Sequence, residues 1–454
     1  MSARDKARSF AFRALATVFG AQVGAAVGLT ALEEVRRRKR RPYRFPTSEP
    51  EAITAGGDRV TIYTFGEDLY EDMLADIAAA TTTVFFETYI WKGDVYGHRF
   101  KDALVAAADR GVQVCVVFDE FANLVVPRSF FDFPANLQVQ RHPVIGSPAF
   151  LNPRNMGRDH RKLLVVDSSV AYIGGYNIGD TYAQRWRDTH ARLEGPGVAE
   201  IENAFIDYWN LRPIGLLGLR RDTTPELVQT SRRSWESAVR VHRNSPRIQV
   251  FPIRNMYLEA IDRATHHIWL TQAYLIPDDD FTAALFAAAR RGVDVRIIVP
   301  AQSNHVVADW LSRGFYEDLL RYGVRLFLYQ GAMVHAKTGT IDQIWSTIGT
   351  ANLDRLSLAG NYEVNAEFHD PAVARRMEQI WAVDEANCVE LTLERWQRRT
   401  PVAKFTEGLL SPWRPFFRTR RAVGRSIPRA AQAMNFRETR SLPVELRDNG
   451  GFAP

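Results

Sequence analysis

Two hydrophobic periodicities alternate along this chain, and the alternation is written twice. In "YEDMLADIAAATTTVFFETYIW" (70–91), Met73, Leu74, Ile77 and Ala78 recur at helical spacing and lead into a Val-Phe-Phe run with the bulk of a strand. A second copy, "MYLEAIDRATHHIWLTQAYLI" (256–276), repeats helix and strand, each strand closing on an aromatic, Tyr89 or Tyr274. Both copies continue with an alanine-rich helix, "FKDALVAAADRGVQVCVVFDE" (100–120) or "FTAALFAAARRGVDVRIIVPA" (281–301), that stops at Arg-Gly-Val before a further strand. Glycine serves there as a left-handed C-cap, because it lacks the Cβ that opposes positive φ. Helices alternating with strands predict an α/β fold with a mainly parallel sheet covered on both faces.

Polar residues interrupt the apolar pattern at matching places. "DHRKLLVVD" (159–167) carries His160, Lys162 and Asp167, and "VHAKTGTID" (334–342) carries His335, Lys337 and Asp342 at the same spacing. Asn177 in "GGYNIGD" follows His160 at the distance at which Asn352 in "GTANLD" follows His335. An acid then recurs at a common offset, Asp188 in "WRDTH" and Glu363 in "NYEVN". A core needs apolar residues, not polar ones, at such positions, so duplication of the scaffold alone does not account for them. On a strand, positions i and i+2 face the same way, so each histidine presents its ring beside its lysine. Asp167 and Asp342 stand at an odd offset and are expected to close the following turn, a structural role.

If the halves pack about a pseudo-two-fold axis, two histidines, two lysines and two asparagines meet in one pocket. Lysine ammonium groups and asparagine amides donate to the non-bridging oxygens of a phosphodiester and stabilise a five-coordinate transition state. One neutral imidazole attacks phosphorus to give a phosphohistidine, and the other gives a proton to the departing oxygen. Asp188 and Glu363 are expected to orient the imidazoles, as an acid does beside a catalytic histidine. Spacing leaves open whether each acid holds the histidine of its own half or of the other.

Over roughly residues 55 to 385 these features together resemble the phospholipase D superfamily with two HKD motifs. That resemblance implies two α/β/α sandwich halves with the active site at their interface, and metal-independent transfer through a covalent histidine intermediate. It also implies that His160 is the nucleophile and His335 the acid and base. "ETYIWKGDVYGHRFKDAL", "WRDTHARLEGPGV", "QAYLIPDDDF" and "HAKTGTID" followed by "STIGTANLDRLS" resemble the bacterial cardiolipin synthase branch. This branch implies a phosphatidyltransferase that makes cardiolipin from phosphatidylglycerol or another phospholipid donor. A hydrolase using water as acceptor shares all of the chemistry; a nuclease and a noncatalytic lipid-binding scaffold are further alternatives.

Charge extends this picture toward a membrane. The formal net charge is +6 and the pI about 9.3, which favours anionic partners. The uncharged run 14–32 approaches the ~20 residues needed to cross a bilayer, and "RRRKRR" (36–41) follows it. By the positive-inside tendency, an anchor, spanning or interfacial, would leave the catalytic part on the cytoplasmic side of a bacterial cell membrane. A cleaved signal peptide and a soluble amphipathic helix are the other readings of that run. The tail from Lys404 interleaves Trp413, Phe416 and Phe417 with arginines, as an anionic membrane surface would favour; a solvated tail is the plain alternative. The expected organisation is an N-terminal segment 1–46, a first half 47–218, a linker 219–247, a second half 248–398 and a tail 399–454.

The remaining chemistry is sparse. Cys115 and Cys388 provide no disulfide framework or Cys-rich metal site. His98, His142, His190, His242, His266, His267, His305 and His369 show no metal-ligand spacing, although His190 is near enough to Asp188 in sequence to line a pocket. Arg158 is placed to touch a substrate phosphate or to be a surface arginine. No phosphate-cradling or dinucleotide glycine loop is present, so no cofactor is expected, and no nucleic-acid partner.

Overall fold

The computed structural model describes residues 44–144, 157–211, 224–230, 237–304 and 306–399. The predicted N-terminal apolar run, the basic tail, His305 and parts of the linker (219–223 and 231–236) lie outside them. Among the described residues, no helix is long and apolar enough to cross a membrane.

The first half builds on strands β1 (Ala52–Ala55), β2 (Asp58–Tyr63), β3 (Thr83–Thr88), β4 (Gln113–Asp119), β5 (Gln138–His142), β6 (Leu163–Val166), β7 (Val170–Gly174), β8 (Trp186–Arg187) and β9 (His190–Glu194). The second uses β10 (Val239–Asn244), β11 (His267–Gln272), β12 (Leu275–Ile276), β13 (Asp294–Pro300), β14 (Arg325–Tyr329), β15 (Met333–Val334), β16 (Lys337–Ile341), β17 (Trp345–Gly349), β18 (Leu353–Asp354), β19 (Glu363–His369) and β20 (Cys388–Leu391). One eight-stranded sheet runs β1-β2-β9-β7-β6-β3-β4-β5 and the other β10-β19-β17-β16-β11-β13-β14-β20. Set β2 against β10 and the two orders coincide strand for strand, each sheet adding one edge of its own.

The sheets are mixed, which corrects the mainly parallel expectation. Within the two eight-stranded sheets, only β3-β4-β5 and β11-β13-β14 run parallel. Beyond them β6, β7 and β9, like β16, β17 and β19, turn back on one another as antiparallel neighbours. Short connections permit hairpins, whereas parallel pairs need a helical crossover, and the chain supplies crossovers only in the first part of each half.

The local signals sit where the sequence puts them. Asp94 caps helix Val95–Asp109 by accepting from the Gly97 N–H, and Asp278 caps Asp279–Arg290 through the Phe281 N–H. Gly111 and Gly292 end these helices at φ 90°. Outer helices bury Leu69, Met73, Phe100 and Leu104 on one sheet and Tyr257, Ile261, Phe281 and Leu285 on the other. Between the sheets, a single apolar cluster joins Val60, Leu163, Phe205 and Trp209 of the first half to Ile348, Val364, Phe368 and Met377 of the second. Burying such side chains contributes about 1.5–3 kcal/mol each, so the halves meet as a core and not as a hinge.

Candidate active site

The site forms where each half lends a strand end to the other. β8 pairs in parallel with β15, matching Trp186 to Met333 and Arg187 to Val334, and the His335 N–H donates to the Arg187 carbonyl at 2.7 Å. The same arrangement recurs with the halves exchanged: Asp159 bridges Tyr362, and the His160 N–H donates to the Tyr362 carbonyl at 3.0 Å. Arg187 precedes Asp188 and Tyr362 precedes Glu363, so backbone register alone brings each histidine to the other half's acid. His160 Nδ1 lies 2.9 Å from Glu363 Oε2, and His335 Nδ1 2.6 Å from Asp188 Oδ2. The pairing left open by spacing is therefore crossed.

The histidines stand just ahead of β6 and β16, and the lysines fold back beside them. Lys162 Nζ donates to the His160 carbonyl at 2.5 Å, and Lys337 Nζ donates to the His335 carbonyl. The four groups share one electrostatic site, since Lys337 acts on His160 and Lys162 on His335 across the interface. Tyr89 packs edge-on against His160 with ring centroids 4.8 Å apart, and the Trp186 ring is 5.0 Å from that of His335. Asn177 accepts the Ile90 N–H at 3.1 Å. Asn352 is buried, its Nδ2 3.5 Å from Ser357 Oγ and its Oδ1 without a hydrogen bond.

Burial sets the protonation of the site. It pushes the His335 imidazole down to about 3 with the help of Lys337, and His160 well below its ordinary value with Lys162 and Lys337 adding to the effect. Loss of hydration also lowers Lys162 to about 7 and Lys337 to about 8. The two acids differ. Burial raises the Glu363 carboxyl to about 8, with Lys162 opposing it. Asp188 feels the same burial, but Lys337, His335 and the Thr189 N–H hold it below the usual carboxylate range.

Asp167 and Asp342 lie at the far ends of the same strands, in the β6–β7 and β16–β17 turns, with φ 51° and 53°. Asp167 accepts the N–H groups of Thr81, Thr82 and Thr83; Asp342 those of Thr265, His266 and His267. Arg158 lies 3.5 Å from Asp119, donates to the Pro143 carbonyl and covers the Phe121 ring. His190 is buried behind Asp188, neither ring nitrogen hydrogen-bonded. Sequence reasoning missed Thr350, whose hydroxyl donates to Glu363 Oε2 at 2.6 Å, and Arg187, whose guanidinium makes a two-point contact with Asp384 at 2.9 and 2.7 Å. Thr350 stands two positions before Asn352, where the first copy has Gly175, and that departure from the repeat was legible.

Two α/β/α halves sharing one His-Lys site define a phospholipase D-type phosphodiester transferase. The family model described as "Cardiolipin synthase, PLD-like domain" matches residues 73–209 and again 257–383, and the chain belongs to that family. It is 31% identical over 391 residues to the major cardiolipin synthase of Bacillus subtilis, covering 80% of this chain and 76% of that one. It is likewise 31% identical over 383 residues to the cardiolipin synthase of Staphylococcus aureus, covering 79% and 74%. Among solved structures, the phosphatidylserine synthase of Haemophilus influenzae superposes with a TM-score of 0.60 at 11% identity, over 81% of this chain and 94% of that chain, a likeness of fold.

Proposed function

We propose that this protein is a phosphatidyltransferase that joins two phosphatidylglycerol molecules into cardiolipin through a phosphohistidine. The reciprocal pairing of His160 with Glu363 and His335 with Asp188 carries this reading. An ionised acid that accepts from Nδ1–H leaves Nε2 free to face a phosphorus atom. His160 Nε2 attacks the donor phosphorus, the bond to the headgroup glycerol oxygen breaks, and His335 gives that oxygen its proton. The hydroxyl of a second phosphatidylglycerol then loses its proton to His335 and attacks the same phosphorus, releasing His160 and cardiolipin. Both imidazoles favour the neutral form in the empty site, and the negative charge of an arriving phosphodiester raises them again. Asp188, held as an anion, supports the imidazolium at His335, which favours His335 as acid and base and His160 as nucleophile. Lys162, Lys337, Asn177 and Asn352 are the donors for the phosphoryl oxygens.

The relatives' names support the same substrate class. The cationic run 36–41 supports a bacterial membrane location with this site on the cytoplasmic side. Incubating the whole chain with labelled phosphatidylglycerol tests the proposal. Cardiolipin plus glycerol, formed also in EDTA, is the expected result; phosphatidic acid alone would make the protein a hydrolase, and no turnover would overturn the reading.

A further inference from the structure

We infer that the loop following β4 is a membrane-docking tip that seats the active-site mouth on an anionic phospholipid bilayer; this rests on the phospholipid reading above. β4 ends at Asp119, whose Oδ2 accepts the N–H of Asp159, the residue before His160, at 3.2 Å. Its Oδ1 accepts the N–H groups of Phe121 and Ala122, so the loop starts on the same carboxylate that supports the histidine segment. Asn123 fixes the next step, donating to the Tyr89 carbonyl and accepting from the Trp91 N–H; Tyr89 itself walls His160. Beyond, Val126, Phe130 and Phe131 return to the core.

Between these anchors the side chains point outward. Phe121 is 51%, Leu124 60% and Val125 80% exposed, and the exposed Arg128 follows. Scattered exposed apolar residues need no explanation, but three on one anchored loop mark a contact surface. Val95, just past β3, and Leu356, whose carbonyl accepts the Asn361 N–H two residues before Glu363, are exposed at the same end of the molecule. At the opposite end, the β16–β17 turn exposes Ile344.

A bilayer is the occupant that the chemistry selects. The phosphorus of a phospholipid sits at the headgroup level, while the side chains of His160 and His335 are only 12% and 6% exposed. The mouth must therefore meet the lipid surface closely, and an apolar tip beside it enters the acyl boundary while Arg128 meets the anionic headgroups; the cationic run 36–41 and the basic tail, outside the described residues, supply the chain's excess positive charge.

Two measurements on the whole chain test this. Leu124→Cys, in a Cys388→Ala background, carries an environment-sensitive fluorophore, and Ile344→Cys carries it as the far-end control. Phosphatidylglycerol vesicles should shift the Leu124 probe to the blue and leave the Ile344 probe unchanged. Equal shifts at both sites, or none at Leu124, would overturn the inference. A Leu124 probe already shielded in buffer, or one whose shift follows protein concentration, would instead assign the tip to another segment of this chain or to a second copy, and would equally overturn it. Leu124→Ser/Val125→Ser should lower turnover on vesicles about tenfold or more while sparing monomeric short-chain phosphatidylglycerol. Equal loss on both substrates, or no loss on vesicles, would count against the tip. The fluorescence result stands whether or not the protein turns phosphatidylglycerol over, so failure of the docking inference and failure of the proposed reaction are told apart.

Discussion

In the first half a short acid, Asp188, fits beneath Gly175; in the second a longer one, Glu363, is held by Thr350. A Cβ on Gly175 would lie 2.1 Å from Asp188 Oδ1, so the absence of a side chain there makes room for the carboxylate. At the corresponding position Thr350 fills that room with a hydroxyl donor at 2.6 Å, and Asn361 Nδ2 adds a contact at 3.4 Å. Backbone symmetry thus places two His–acid pairs alike, while their surroundings make one acid a fixed anion and the other one that titrates. A duplicated scaffold can divide labour between identical side chains by changing what stands behind them.

Removing the rings tests this division most severely. His160→Ala and His335→Ala should each lower turnover about 10³-fold or more, since one loses the nucleophile and the other the proton relay. A donor with a nitrophenol leaving group, which departs without a proton, separates them. His335→Ala should then form labelled phosphoenzyme in a quench experiment, and His160→Ala should not. The opposite pattern would exchange the two roles.

The acids come next. Asp188→Asn should cost about 10²–10⁴-fold, because an amide carries no charge to stabilise the imidazolium at His335. Glu363→Gln should cost only about tenfold near pH 7, since Gln Oε1 still accepts from Nδ1–H. Below about 8 the Glu363 carboxyl holds its proton, donates it to Nδ1 and leaves the ring proton on Nε2, where it blocks attack. Rate should therefore rise with pH in the parent enzyme until Lys162, lowered to about 7, begins to lose its proton. In Glu363→Gln this acid limb should vanish while the alkaline fall, set by Lys162 and Lys337 losing their protons, stays. Retention of the acid limb in Glu363→Gln would assign it to another group.

The halves also differ in what precedes the acid. Arg187 pairs with Asp384 in a buried two-point contact between the halves, whereas Tyr362 packs edge-on against Tyr208 with centroids 5.0 Å apart. Arg187→Met strands a buried carboxylate and should cost about 3–5 kcal/mol in a denaturant titration. Adding Asp384→Leu should restore most of it; no restoration would mean that packing, not charge, holds that contact.

Much of this was legible in the chain because it was said twice. The duplicated helix–strand units, the Arg-Gly-Val stops at Gly111 and Gly292, and the matched histidines, lysines, asparagines and acids all carry local signatures. Sheet direction was not, since helix–strand alternation describes β3-β4-β5 but says nothing of how β6 returns. Nor was the crossed pairing, which depends on β8 meeting β15 and Asp159 meeting Tyr362, contacts between residues far apart in the chain. Arg187 escaped notice because its partner, Asp384, belongs to a helix with no sequence mark tying it to "WRDTH".

The smallest effects are expected at the turn acids, where the halves differ by one hydroxyl. Asp167 accepts the N–H groups of Thr81, Thr82 and Thr83 and the hydroxyls of Thr81 and Thr82. Asp342 accepts the corresponding N–H groups and the Thr265 hydroxyl, but His266 stands where Thr82 would offer a second. Both carboxyls are held below their ordinary range, against partial burial, by these backbone N–H donors. A depressed carboxylate stabilises the fold above its unfolded value, ~3.9, and loses that contribution as pH falls through the folded value. Asparagine tolerates the left-handed backbone at both positions, so Asp167→Asn and Asp342→Asn remove charge with little added strain. Each should cost about 1–3 kcal/mol near neutral pH, Asp167→Asn the more, with the difference from the parent fading toward pH 2. Turnover per folded molecule should hold in both, because the turns lie at the strand ends opposite His160 and His335. A larger loss in Asp342→Asn would show that the hydroxyls contribute nothing, and lost turnover at full stability would tie a turn to the chemistry.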